Sequence, residues 1–128
     1  MPHICLEYTD NIHTTDIIGL LKSIQDVLIE LADVKAKNCK SKVIHYNDYH
    51  TGSCDINEGF VHLEINILEG RTDEIKTKIG KKSLKILKSY FGDNSVGDSI
   101  QYSLEIREIK RSDYFTSNNL AIKILLLL

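Results

Sequence analysis

Apolar and polar residues alternate from residue 3 to residue 8: Ile4, Leu6 and Tyr8 fall on one side, His3, Cys5 and Glu7 on the other. A period of two is that of a strand with one buried face, so a first strand is predicted there. The period then lengthens. From Asp16 to Leu31, Ile17, Leu20, Leu21, Ile24, Val27, Leu28 and Leu31 recur at steps of three and four, the stripe of an amphipathic helix, with Thr14, Thr15 and Asp16 available as caps. Ser41 to Tyr49 is rich in β-branched and aromatic residues and predicts a second strand, closed by the turn-forming segment Thr51 to Gly59.

The same order then repeats. Phe60 to Leu68 alternates, with Val61, Leu63, Ile65 and Ile67 opposed to His62, Glu64 and Asn66. Gly70 ends this third strand. Thr72 is placed to cap a second helix whose first turn carries Asp73 and Glu74, where the helix dipole favours negative charge. Its predicted buried stripe is Ile75, Ile79, Ile86, Leu87 and Tyr90, and Gly92, Asp93 and Asn94 stop it. In the fourth strand Ile100, Tyr102, Leu104 and Ile106 alternate with Gln101, Ser103, Glu105 and Arg107.

The element order βαββαβ predicts an α+β fold in a single domain, 1–128, built from two tandem βαβ units at about 2–50 and 59–110. Right-handed crossovers join each parallel pair, which yields one four-stranded mixed sheet with two helices on one face. The other face, carrying the mixed sets His62, Glu64, Asn66 and Gln101, Ser103, Glu105, is left uncovered, so a further subunit is expected over it. The segment Ala121 to Leu128 is almost entirely apolar and is expected to pack on the core or, in preference, on a neighbour.

Composition changes this picture little: 42% hydrophobic and 27% charged residues are those of an ordinary globular protein, and disordered or fibrous classes are excluded. No apolar run reaches the roughly 18 residues of a membrane helix, and the N-terminus lacks the features of a signal peptide, so no membrane partner and a cytoplasmic location are expected. Three cysteines, Cys5, Cys39 and Cys54, form neither a disulfide framework nor a CxxC pair and are expected as free thiols. A net charge of −2 argues against nucleic acid as a partner. Its distribution says more. Four lysines and no acid lie between Lys35 and Lys42, and seven basic residues face only Asp73 and Glu74 between Arg71 and Lys88. These stretches form either a pocket for a small anion or two solvated faces. His45, His50 and Cys54 lack a second ligand pair at metal-site spacing, so no metal is expected. His62 fits an interface histidine better than a catalyst, and strand alternation turns His3 away from Pro2.

Pro2 follows Met1, and a small residue there favours removal of the methionine, which leaves a prolyl secondary amine able to act as a base. Many chains begin this way without using it. Here, however, the proline leads directly into a strand of a βαββαβ domain that also carries Lys40, Lys42 and Arg71 near strand or helix ends. Taken with Met1-Pro2-His3, Glu7, Asp10-Asn11-Ile12, Phe60-Val61-His62, Gly70-Arg71, Leu104-Glu105-Ile106, Phe115 and Asn118-Asn119, the sequence resembles the 5-carboxymethyl-2-hydroxymuconate isomerases of the tautomerase superfamily over nearly its whole length.

The resemblance implies a homotrimer with sheets facing inward and helices outside, a site around each N-terminal proline near a subunit boundary, and no cofactor. The implied substrate is a small anion, an unsaturated 2-hydroxy dicarboxylate of aromatic-acid breakdown that isomerises to its 2-oxo form. Pro2 is the implied base. Arg71 matches the family's Gly-Arg position, where a guanidinium fork grips a carboxylate; the alternative is an ordinary helix-start arginine. Lys40-Ser41-Lys42 stands where the family carries Arg-Ser-Arg, and this exchanges planar bidentate donors for point charges. Phe115 is expected either to wall the pocket or to sit in the core. The lysines keep two alternatives open: a tautomerase or decarboxylase for another 2-oxo acid, and a non-catalytic trimeric binding protein of the same fold.

Overall fold

The computed structural model describes residues 1–92, 99–117 and 126–127. Strand β1, His3–Thr9, buries Ile4 and Leu6 as its alternation requires. Helix α1, Ile17–Ala32, starts where the Asp16 carboxylate accepts from the Gly19 N–H at 2.9 Å, and buries Leu20, Leu21, Ile24, Val27 and Leu28. It ends at Asp33, in the left-handed region with φ 54°. No basic residue occupies its last turn. A 3₁₀ turn, Ala36–Asn38, leads into β2, Lys40–Tyr46. This strand stops three residues short of the predicted Tyr49; Asn47 onward belongs to the loop that reaches β3.

Strand β3, Gly59–Leu68, shows strict alternation, with Val61, Leu63, Ile65 and Ile67 buried. Gly70, at φ +121°, makes the turn that a side chain would strain. Helix α2, Asp73–Phe91, follows at once, capped by the Thr72 hydroxyl accepting from Ile75 N–H at 3.2 Å. Its buried line is Ile79, Ser83, Leu87 and Phe91; Ile75, Ile86 and Tyr90 of the predicted stripe are half-buried at its flank. Strand β4 runs Ile100–Ile109, beyond the predicted Arg107, and a 3₁₀ turn at Arg111–Asp113 follows.

The sheet order is β2-β1-β3-β4. β1 pairs parallel with β2 and β3 parallel with β4, so each βαβ unit is closed, and the units join through the antiparallel β1–β3 pair. Both helices cover one face, where Ile4, Leu6, Leu20, Ile24, Leu28, Leu63, Ile65, Ile79, Leu87 and Phe91 form a continuous core. The opposite face carries His3, Cys5, Glu7, Lys42, His62, Glu64, Asn66, Ser103, Glu105 and Arg107 and has no covering element among the described residues. No helix among them is long and apolar enough to cross a membrane. Asn118, Asn119 and most of the apolar segment 121–128 lie outside the described residues; Leu126 and Leu127 are exposed.

Candidate active site

Register decides what meets at the start of β1. His3 lies opposite Asn66 of β3 and beside Lys40 of β2, so the N-terminal end of β1, the first residue of β2 and the last residues of β3 share one end of the sheet. Pro2 is buried there, and its carbonyl accepts from the Lys40 backbone N–H at 3.1 Å. The N-terminal amine on the adjacent Met1 is held below the usual α-amino range, first by partial burial and then by the Lys40 charge, with Cys39 acting weakly against them.

The other predicted residues distribute around this end. The Lys40 and Lys42 side chains are exposed, and neither has a carboxylate within ion-pair distance among the described residues. Arg71 reaches the same end, but its guanidinium is engaged: Nη1 donates to the Leu68 carbonyl at 3.0 Å and Nη2 to the Ala32 carbonyl at 2.8 Å. Arg71 thus supplies from a distance the cation that the last turn of α1 lacks. Phe115 is 72% exposed, which excludes it from the core of the chain. It follows Tyr114, whose hydroxyl lies 3.0 Å from His3 Nε2, so the segment carrying Phe115 is tied to the proline end of the sheet. Glu69 reinforces that tie by accepting from the Arg111 backbone N–H at 2.8 Å.

Tyr114 has no signal in the sequence. His3 has one, adjacency to Pro2, but strand alternation turns its ring to the other face and so argues against it. The ring's pKa lies below the usual histidine value, through burial first and then the charges of the N-terminal amine, Lys40 and Lys42.

Two clusters stand apart. His62, Glu64 and Glu105 offer ligand atoms within 4.8 Å of one another, but Arg107 Nε is 2.9 Å from Glu105 and 3.8 Å from Glu64, and His62 Nδ1 is 2.7 Å from the Ser103 hydroxyl. The cation of this cluster is therefore an arginine, and the Arg107 bond holds Glu105 below the ordinary carboxylate range. His50 and Cys54 do meet, with Nε2 3.1 Å from Sγ, whereas His45 stacks on Tyr8.

Comparisons with known proteins give the family and the fold. Residues 2–124 match the family model for 5-carboxymethyl-2-hydroxymuconate isomerase. The Escherichia coli 5-carboxymethyl-2-hydroxymuconate Delta-isomerase is 24% identical over 120 residues, which cover 93% of this chain and 95% of that one. The crystal structure of a 5-carboxymethyl-2-hydroxymuconate isomerase from Deinococcus radiodurans R1 superposes with a TM-score of 0.81 at 26% identity, covering 96% of this chain and 93% of the other. A fused 4-OT symmetric trimer shares the fold at a TM-score of 0.71 and 15% identity, covering 94% of this chain and 96% of its own. With the family model spanning nearly all of the sequence, the chain belongs to the 5-carboxymethyl-2-hydroxymuconate isomerase family and is an isomerase of tautomerase fold.

Proposed function

We propose that the chain, once Met1 is removed, uses the Pro2 amine to isomerise an unsaturated 2-hydroxy polycarboxylate of the 5-carboxymethyl-2-hydroxymuconate type to its conjugated 2-oxo form. The observation that carries this reading is the meeting of Pro2 and Lys40 at one end of the sheet: Pro2 is buried, its carbonyl accepts from the Lys40 backbone N–H at 3.1 Å, and the exposed Lys40 side chain has no carboxylate within ion-pair distance among the described residues. A prolyl amine freed at that position lies near the Lys40 charge, which disfavours its ammonium form and suits a base working near neutrality. Pro2 takes the hydroxyl proton of the dienol and returns it to a distant carbon of the conjugated chain, so no net proton is exchanged. Lys40 and Lys42 hold carboxylates and offset the charge that develops on the oxygen. Arg71 adds positive potential at the same end while its hydrogen bonds close α1, and Phe115 walls the site.

The assembly we propose is a homotrimer in which the uncovered sheet faces turn inward. The fold neighbour that is a symmetric trimer supports it, as does the polar and apolar mixture of that face. Light scattering at micromolar concentration is expected to report three chains, and a stable monomer would refute the assembly.

The activity is tested by following enol ketonisation of a carboxylated 2-hydroxydiene by ultraviolet absorbance, together with intact mass. Pro2→Ala is expected to lower kcat about 10²- to 10⁴-fold, the usual contribution of general acid-base transfer. Full activity in a protein that retains Met1 would exclude the prolyl amine. The lysines at positions 40 and 42 favour a second substrate reading, another 2-oxo acid, and a panel of monoacids and diacids in the same assay separates the two.

A further inference from the structure

The open face of the sheet carries its charge unevenly. Glu7 and Glu64 line its middle beside Lys42, in a cleft of about 420 Å³ that His3 and Asn66 close at the proline end. At that end the groups acting on His3 are cationic: the N-terminal amine, Lys40 and Lys42. On β3, Asn66 is neutral and donates to Glu64 at 2.9 Å; on β4, Arg107 is shared between Glu64 and Glu105. From the segment after β4, only Tyr114 contacts the ring among the described residues.

That contact has a chemical consequence. A tyrosine hydroxyl that donates to Nε2 leaves the hydrogen of the neutral ring on Nδ1; in the imidazolium, Nε2 donates to the hydroxyl and Nδ1 still carries its hydrogen. With the hydroxyl donating, and in the imidazolium, Nδ1 is the donor available to a ligand. The neighbouring register position holds the Lys40 ammonium.

We propose that His3, oriented by Tyr114 and paired with Lys40, is the substrate-selecting residue of this site, receiving the second carboxylate of a dicarboxylate whose reacting end lies at Pro2. The proposal rests on the isomerase reading above. His3 binds the anion, and Tyr114 is a positioning residue. A bound carboxylate favours the imidazolium, so binding is accompanied by proton uptake. Diacid affinity is therefore highest below the pKa of the free ring and falls as pH rises through the pKa of the complex.

The test compares a diacid substrate with its monoester, blocked at the remote carboxylate, between pH 5.5 and 8. In the wild type KM for the diacid should rise with pH more steeply than KM for the monoester. His3→Gln should raise the diacid KM roughly tenfold at the acid end, abolish the extra slope and change kcat and the monoester KM by a much smaller factor, the tenfold being the low end of a charge-assisted hydrogen bond. Tyr114→Phe should give a smaller rise with the same pattern. A His3→Gln enzyme that keeps both the diacid preference and its pH slope overturns the proposal.

A second measurement does not depend on turnover: the His3 ring is titrated by NMR with and without a saturated six-carbon dicarboxylate. An upward shift on binding supports the subsite even if no hydroxydiene is turned over, an outcome that would sink only the isomerase reading. No shift at saturating ligand overturns the subsite even in an active enzyme.

Discussion

Arg71→Ala separates two roles that the sequence leaves open. In the structure its guanidinium spans the Ala32 carbonyl at the end of α1 and the Leu68 carbonyl at the end of β3. α1 has no basic residue in its last turn, and its cap is an acid, Asp33, so Arg71 is the cation that offsets the negative end of that helix. Hydrogen bonds to a charged donor contribute about 1.5 to 3 kcal/mol each, and water reaching these half-buried carbonyls recovers part of that. The expected net loss is about 2 to 3 kcal/mol. With an m-value of about 1 to 3 kcal/mol/M in urea, the midpoint should fall by about 0.7 to 3 M. Arg71→Lys, able to serve one carbonyl at a time, should retain about half of the stability. The assay is urea unfolding at fixed protein concentration, run beside steady-state kinetics on a diacid and its monoester. Destabilisation with the diacid preference intact supports the capping role. Unchanged stability with loss of the diacid preference would place the fork on the substrate and refute the argument from hydrogen bonding.

Three further outcomes follow from other parts of the chain. Lys40→Gln removes a charge that disfavours the ammonium form of the N-terminal amine, so the acid limb of the kcat/KM profile should move to higher pH; a limb that stays in place would remove Lys40 from the tuning of the base. Cys54 is exposed with its sulfur 3.1 Å from His50 Nε2, whereas burial pushes the Cys5 and Cys39 thiols up, so iodoacetamide at pH 7.5 should modify Cys54 first, by peptide mass mapping. Labelling of Cys5 ahead of Cys54 in folded protein would contradict the placing of Cys5 in the sheet and Cys54 at the surface. Leu87→Ala, fully buried between α2 and the sheet, should cost about 2 to 5 kcal/mol in a urea melt, and a cost under about 1 kcal/mol would mean that the helix does not pack as described.

What is legible in the sequence follows the range of the forces involved. Strict alternation in β3 and the three-four spacing in α1 match the structure because burial of one face is recorded residue by residue along the chain. α2 is less legible. Its buried line includes Ser83, a small polar residue that no hydropathy pattern selects, and Phe91, which lies at the very end of the helix against Tyr8. Composition makes β2 too long because β-branched and aromatic residues continue to Tyr49, although pairing with β1 ends at Thr9 and Tyr46. The site divides along the same line. Pro2, Lys40 and Lys42 can be named from sequence because position near an element end is a local property. The engagement of Arg71 by Ala32 and the contact of Tyr114 with His3 join residues 39 and 111 positions apart, and only the register of the assembled sheet brings them together. Strand alternation puts His3 on the open face of the sheet, opposite to Ile4, yet the N-terminal amine and Lys40 both act on its ring, so alternation along β1 alone does not remove it from the proline end.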